Sequence, residues 1–130
     1  MQSPDLNGEL SEFALIPPVN LLVAAGTQTY AGIDVQEYIG NIKLIFTHAG
    51  AAADGSNSLQ VSILDSADNT TFAASAGLPT FAAITASSGT VSVALDTRAC
   101  KRYVQGKLLT SSTTATFRSA LVGVGLKETI

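Results

Sequence analysis

The sequence predicts an all-β fold of antiparallel strands, and three observations carry the prediction. Apolar residues recur at every second position in short runs, as in Ile42, Leu44 and Phe46 or Leu59, Val61 and Ile63, which is the period of a strand with one buried face. Turn-forming clusters such as Asp54-Gly55, Asp68-Asn69 and Ser87-Ser88-Gly89 separate these runs. No stretch of ten or more residues has helical spacing; at most a turn falls near Val35 to Ile39.

Taken in order, the chain divides into an N-terminal arm, residues 1–25, and a β body, residues 26–130. The arm opens polar and turns apolar from Phe13 to Val23. Its Pro17-Pro18 pair forbids a helix and favours an extended, polyproline-like path. Apolar extended chain has to be covered, either by its own domain or by a neighbour's. The second reading is preferred, so Phe13, Leu15, Ile16, Pro17, Pro18, Leu21 and Leu22 are the candidate partner-contact residues. Deleting Met1 to Val23 is then expected to leave the body folded.

The body begins with a strand from Thr27 to Asp34, centred on Tyr30. Asn41 to His48 follows, with Ile42, Leu44 and Phe46 inward and Lys43, Ile45 and Thr47 outward. Ala49 to Asn57 is a loop, and Ser58 to Leu64 alternates again, with Leu59, Val61 and Ile63 inward. Asp65 to Thr71 is rich in turn residues. A weaker strand spans Thr80 to Ala86 around Phe81 and Ile84. Thr90 to Asp96 places Val91, Val93 and Leu95 on one face, and Arg102 to Thr110 alternates through Val104, Gly106 and Leu108. After a polar turn at Ser111 to Thr114, Ala115 to Leu126 is the last strand. Seven or eight short strands at this spacing make a β-sandwich or barrel, best an eight-stranded jelly roll. An immunoglobulin-like sandwich ranks second, because the chain has no Trp and only one Cys.

Composition narrows the function. The 130 residues suit one domain. Charged residues make up 13% of the chain, about half the share usual in a soluble domain. Ala, Ser, Thr and Gly stand where Lys and Glu normally would, and such a surface suits contact with other protein. The seven basic residues are scattered and the net charge is −3, which argues against a nucleic-acid partner, since phosphates need a concentrated basic face. No apolar run reaches the roughly 18 residues a membrane span requires. Met1 to Leu10 carries Asp5 and Glu9 and does not read as a signal peptide. Synthesis in the cytoplasm is therefore expected, and a single Cys100 accords with a reducing compartment.

Candidates for chemistry are few. His48 is the single histidine, so a multi-histidine metal site or a cupin-like enzyme is excluded; at a strand end beside a loop it reads as solvent-facing. No serine lies in a nucleophile elbow. Asp65, Asp68 and Asn69 form the densest group of oxygen ligands, yet their spacing matches no calcium loop and such residues also build turns. Cys100 beside Lys101 and Arg102 lacks a second chemical group. No enzyme activity and no cofactor are expected.

Two longer stretches add a resemblance. Val61-Ser62-Ile63-Leu64-Asp65-Ser66-Ala67-Asp68-Asn69-Thr70-Thr71-Phe72 reads as strand, Ser-x-Asp-Asn turn and aromatic anchor. Leu95-Asp96-Thr97-Arg98-Ala99-Cys100-Lys101-Arg102-Tyr103-Val104 leads a polar turn into a strand, followed by a polar hairpin and a final apolar strand. Together, over about Gln28 to Leu126, these resemble the jelly-roll cement (decoration) proteins of tailed bacteriophages. The resemblance implies a virion structural protein that sits on the capsid exterior, bridges major capsid protein subunits and acts as a homodimer or trimer. It carries over no catalytic residues. The alternative is a receptor- or carbohydrate-binding sandwich of a tail fibre or spike, which would need an exposed cluster drawn from Tyr30, Tyr38 and Tyr103.

Overall fold

A computed structural model describes residues 10–23, 26–50, 59–82, 84, 88–110 and 116–127, with side chains for all of these except 18–23, 26, 50, 110, 116 and 117. Eight strands follow in chain order: β1 (Leu10–Val23), β2 (Gly26–Thr29), β3 (Ile33–Asp34), β4 (Tyr38–Gly50), β5 (Leu59–Ser66), β6 (Ser88–Asp96), β7 (Tyr103–Thr110) and β8 (Thr116–Lys127). They form two antiparallel sheets. Sheet A runs β1-β8-β4-β6; in sheet B, β7 is flanked on one side by β2 and β3 and on the other by β5.

The pairing is nested. β1 pairs with β8, β2 and β3 pair with β7, and β4 pairs with β6. The innermost partner of β5 is the chain between β5 and β6, held by two isolated bridges, Asp65 to Ala73 and Leu59 to Ile84. Each pair encloses the next, as when a long hairpin is wound into a barrel, and this is the jelly roll expected from the sequence.

Alternation buries one face of each sheet. Ile42, Leu44 and Phe46 of β4, with Leu121 of β8, meet Val61 and Ile63 of β5 and Val104 and Leu108 of β7. The faces read from sequence for Asn41 to His48, Leu59 to Leu64 and Arg102 to Thr110 are those observed, with Lys43 and Thr47 exposed and Ile45 half-buried.

Five local expectations change. Residues 27–34 do not form one strand; the chain leaves the ladder at Tyr30 to Gly32, although the Tyr30 amide still donates to the Gly106 carbonyl at 3.2 Å. At this break Asn69 and Phe72 pack over Gly32 so closely that a Cβ there would collide with the Phe72 ring. Around Thr80 to Ala86 the described residues hold a single bridge at Ile84, yet Phe81 and Ile84 are buried as expected. His48 is not solvent-facing but 6% exposed, stacked on Phe46 with ring centroids 5.8 Å apart.

The fourth concerns the arm. From Leu10 to Val23 it is β1, the first strand of the jelly roll and an edge of sheet A. Its register with β8 slips between Ala14 and Ile16, a bulge that turns two successive side chains, Leu15 and Ile16, into the core at 1% and 0% exposure. A second slip between Ile16 and Val19 spans the prolines, which are tolerated because an edge strand has one side free of ladder bonds, and a third falls between Val19 and Leu22. Excising residues 1–23 would thus remove a strand and two core side chains. Of the loop expected from Ala49 to Asn57, Ala49 and Gly50 belong to β4 instead, and residues 51–57, like the turn expected at 111–114, lie outside the described residues.

Candidate interaction surfaces

β1 divides its candidate contact residues between inside and outside. Phe13 is half-buried, set edge-on to Tyr38 at 5.2 Å and lying over Gly123 of β8. Leu15 and Ile16 are core. Ile16 presses on Gly106 of β7, where a Cβ would stand 2.6 Å from Ile16 Cγ1, so the two sheets meet closely only because β7 has a glycine there. Pro17 is exposed. The side chains of Pro18, Leu21 and Leu22 lie outside the described residues.

The outer face of sheet A was not singled out from the sequence. Leu10, Leu126 and Ile39 are 41%, 42% and 54% exposed and stand in one row across β1, β8 and β4. The next row is Glu12, Val124, Lys43 and Ala94; the one after is Ala14, Val122, Ile45 and Ser92. The signal lies in Leu121-Val122-Gly123-Val124-Gly125-Leu126. Hydrophobicity alone would bury Val122, Val124 and Leu126, but the inward positions belong to Gly123 and Gly125, whose space is filled by Phe13 and by Tyr38 and Ile42. The aliphatic side chains of that strand therefore point outward.

The polar turns do structural work. Asp65, 1% exposed, accepts hydrogen bonds at Oδ2 from Ser75 Oγ (2.9 Å) and the Lys101 amide (3.0 Å), joining the two turns that cap one end of the sandwich. Asp68 accepts from the Thr71 and Thr70 amides, both at 3.0 Å, and from Ser66 Oγ at 2.7 Å. These bonds, the Thr71 amide foremost, hold its carboxyl down at about 2. Asn69 has φ of 59°, the left-handed turn conformation Asn tolerates. This is a turn that spends its oxygens on its own backbone. Among the described residues no three His, Cys, Asp or Glu side chains gather to hold a metal ion.

Cys100 is half-buried and points at the Thr97 carbonyl; burial, then the charge of Asp65, pushes its thiol up, the opposite of activation. Burial also holds His48 below its ordinary value. Asp34 is lowered chiefly by Arg102, whose Nε and Nη2 both donate to Oδ2 at 3.1 and 2.9 Å. The tyrosines form no shared platform. Tyr38 is 7% exposed with its hydroxyl donating to Ser11 Oγ, Tyr30 has its hydroxyl buried, and Tyr103 lies beneath the Arg102 guanidinium.

This jelly roll is similar in fold to chains in solved structures of a virus. Three solved structures illustrate it: a chain of the infectious bursal disease virus Gx strain (TM-score 0.58, 9% identity), one of the T13 particle of that virus (0.55, 12%) and VP2 of its subviral particle (0.52, 9%). The matches cover 91%, 91% and 90% of this chain and 32%, 31% and 32% of those chains, so the chain spans about a third of their length. At such identity the likeness is one of fold. No family model matches the sequence, and no curated protein matches it.

Proposed function

We propose that this chain is a virion structural protein, a capsid cement protein that attaches to the outer surface of a phage head and bridges major capsid protein subunits. The observation that carries the reading is the nested jelly roll, shared over nine-tenths of the chain with capsid structures. The low charge content of 13% supports it, because a surface of small uncharged side chains costs little to desolvate against another protein. So does the free edge of β1, whose unpaired backbone groups can add to a neighbouring subunit's sheet.

In this reading the arm contributes through its exposed side and its edge, whereas Leu15 and Ile16 hold the strand in place from beneath. The test is attachment: purified protein is mixed with heads lacking it, and co-sedimentation and electron microscopy are read. Wild-type protein is expected to pellet with heads at regular lattice positions. Pro17→Arg, an exposed change on β1, is expected to weaken attachment about tenfold or more while leaving the melting temperature unchanged. Protein that stays in the supernatant would overturn the cement reading, and normal decoration by Pro17→Arg would overturn the role of the arm.

A further inference from the structure

We infer that the outer face of sheet A is a homodimer interface, in which a second copy of the chain packs face to face about a two-fold axis running along β8. The face has the character of a buried surface left uncovered. Leu10, Ile39 and Leu126 are each more than 40% exposed in one row, and Val122, Val124 and Ile45 continue the apolar surface along the strands. Four strands at about 4.8 Å spacing and a 12-residue β8 at about 3.4 Å per residue give a footprint of roughly 780 Å². That approaches the ~800 Å² each partner contributes to a standard stable interface.

The charges say what covers it. Glu12 on β1 and Lys43 on β4 flank Val124 on β8 in a single row, one strand to either side. Both are exposed, and neither takes part in an ion pair among the described residues. Rotation by half a turn about an axis along β8 lays the Glu12 of each copy over the Lys43 of the other and stacks Val124 on its own copy. The same operation exchanges Leu10 with Ile39 across Leu126. An isologous contact has to be complementary to itself, and this row is. Arg118, also on β8, lies about 20 Å along the strand from Val124; packed sheets crossing at about 30° carry its two copies about 10 Å apart there.

The inference goes beyond attachment to a shell and stands or falls without it. Light scattering on the full-length protein at micromolar concentration, with circular dichroism to establish folding, tests it. Wild type is expected to run as a dimer. Glu12→Lys and Lys43→Glu each set like charges across the axis and are expected to weaken the dimer about tenfold or more, the released chains keeping the wild-type β-sheet circular dichroism spectrum. An equimolar mixture of these two variants is expected to recover dimer, because each then meets its opposite, and the double exchange E12K/K43E is expected to do the same alone. A monomeric wild type, a dimer indifferent to Val124→Asp, or single charge variants that dimerise like wild type would each overturn it. So would a mixture that stays monomeric.

Discussion

The two sheets of this jelly roll face solvent in opposite ways. Sheet A is built of long strands, up to the 14 residues of β1, and shows solvent an aliphatic surface of Leu10, Ile39, Val122, Val124 and Leu126. Sheet B has shorter, interrupted strands and presents Gln60, Ser62, Gln105 and Lys107, with Leu109 its one strongly exposed large aliphatic among the described residues. One sheet has its regularity written in backbone ladders; the other relies on side-chain bonds in its turns where ladders stop. The difference separates two jobs that a small domain must share, cohesion and contact.

The largest effect expected from breaking this division is at the seam between the sheets. Ile16 is fully buried and presses on Gly106 of the opposite sheet. Ile16→Ala is expected to destabilise the fold by about 2–5 kcal/mol, the range for a large aliphatic truncated in a core. Leu109→Ala, on the outer face of sheet B, is expected to change stability by less than about 0.5 kcal/mol. Urea denaturation of both variants checks this; equal midpoints would mean that β1 is not part of the cooperative unit.

Next comes the end of sheet B. Asp65→Ala removes the acceptor of the Lys101 amide and Ser75 Oγ at a buried position. Leaving a buried donor unpaired costs about 1–3 kcal/mol, and denaturation should show a loss in that range. Asp65→Asn keeps one carbonyl oxygen as acceptor and is expected to lose less. Because Oδ1 has no hydrogen-bond partner among the described residues, a variant as stable as wild type would show that this carboxylate is not what joins the two turns.

These elements also show where sequence patterns inform and where they stop. Strict alternation gave the inward faces of β4, β5 and β7, since a one-residue slip would have exposed every core side chain. The turn role of Asp68 and Asn69 was equally legible, because short side chains bond locally whatever the rest of the fold does. The role of β1 was not. Its prolines, the bulge at Leu15 and Ile16, and its pairing with the distant β8 depend on partners no local pattern reveals. His48 likewise reads as a strand-end residue, and only the pairing opposite Ser119 and the stacking on Phe46 make it internal. The outer face of sheet A was hidden for a further reason: an aliphatic–glycine alternation such as that of β8 reverses the usual rule when rings from neighbouring strands fill the space above the glycines.

Acid separates the two sheets with the smallest effects. His48 belongs to sheet A, and burial depresses its value in the folded protein below the ordinary 6.5. Between those two values the unfolded chain binds a proton that the folded one refuses, so stability falls as pH drops below about 6.5. Asp68 belongs to the turn beyond sheet B and sits at about 2, against an ordinary 3.8. Its contribution is complete above 3.8 and is lost as pH falls toward about 2, when protonation weakens the bonds from the Thr70 and Thr71 amides. Thermal melts across pH 7 to 2 are expected to fall in both windows. His48→Phe should flatten the upper one alone, whereas Asp68→Asn should flatten part of the lower, leaving the shares of Asp34, held down by Arg102, and Asp96, held down by the Arg98 amide. If His48→Phe left the upper window unchanged, the buried ring of sheet A would not be the group that charges there, and the contrast between an internally regular sheet and a polar, turn-held one would lose its electrostatic side.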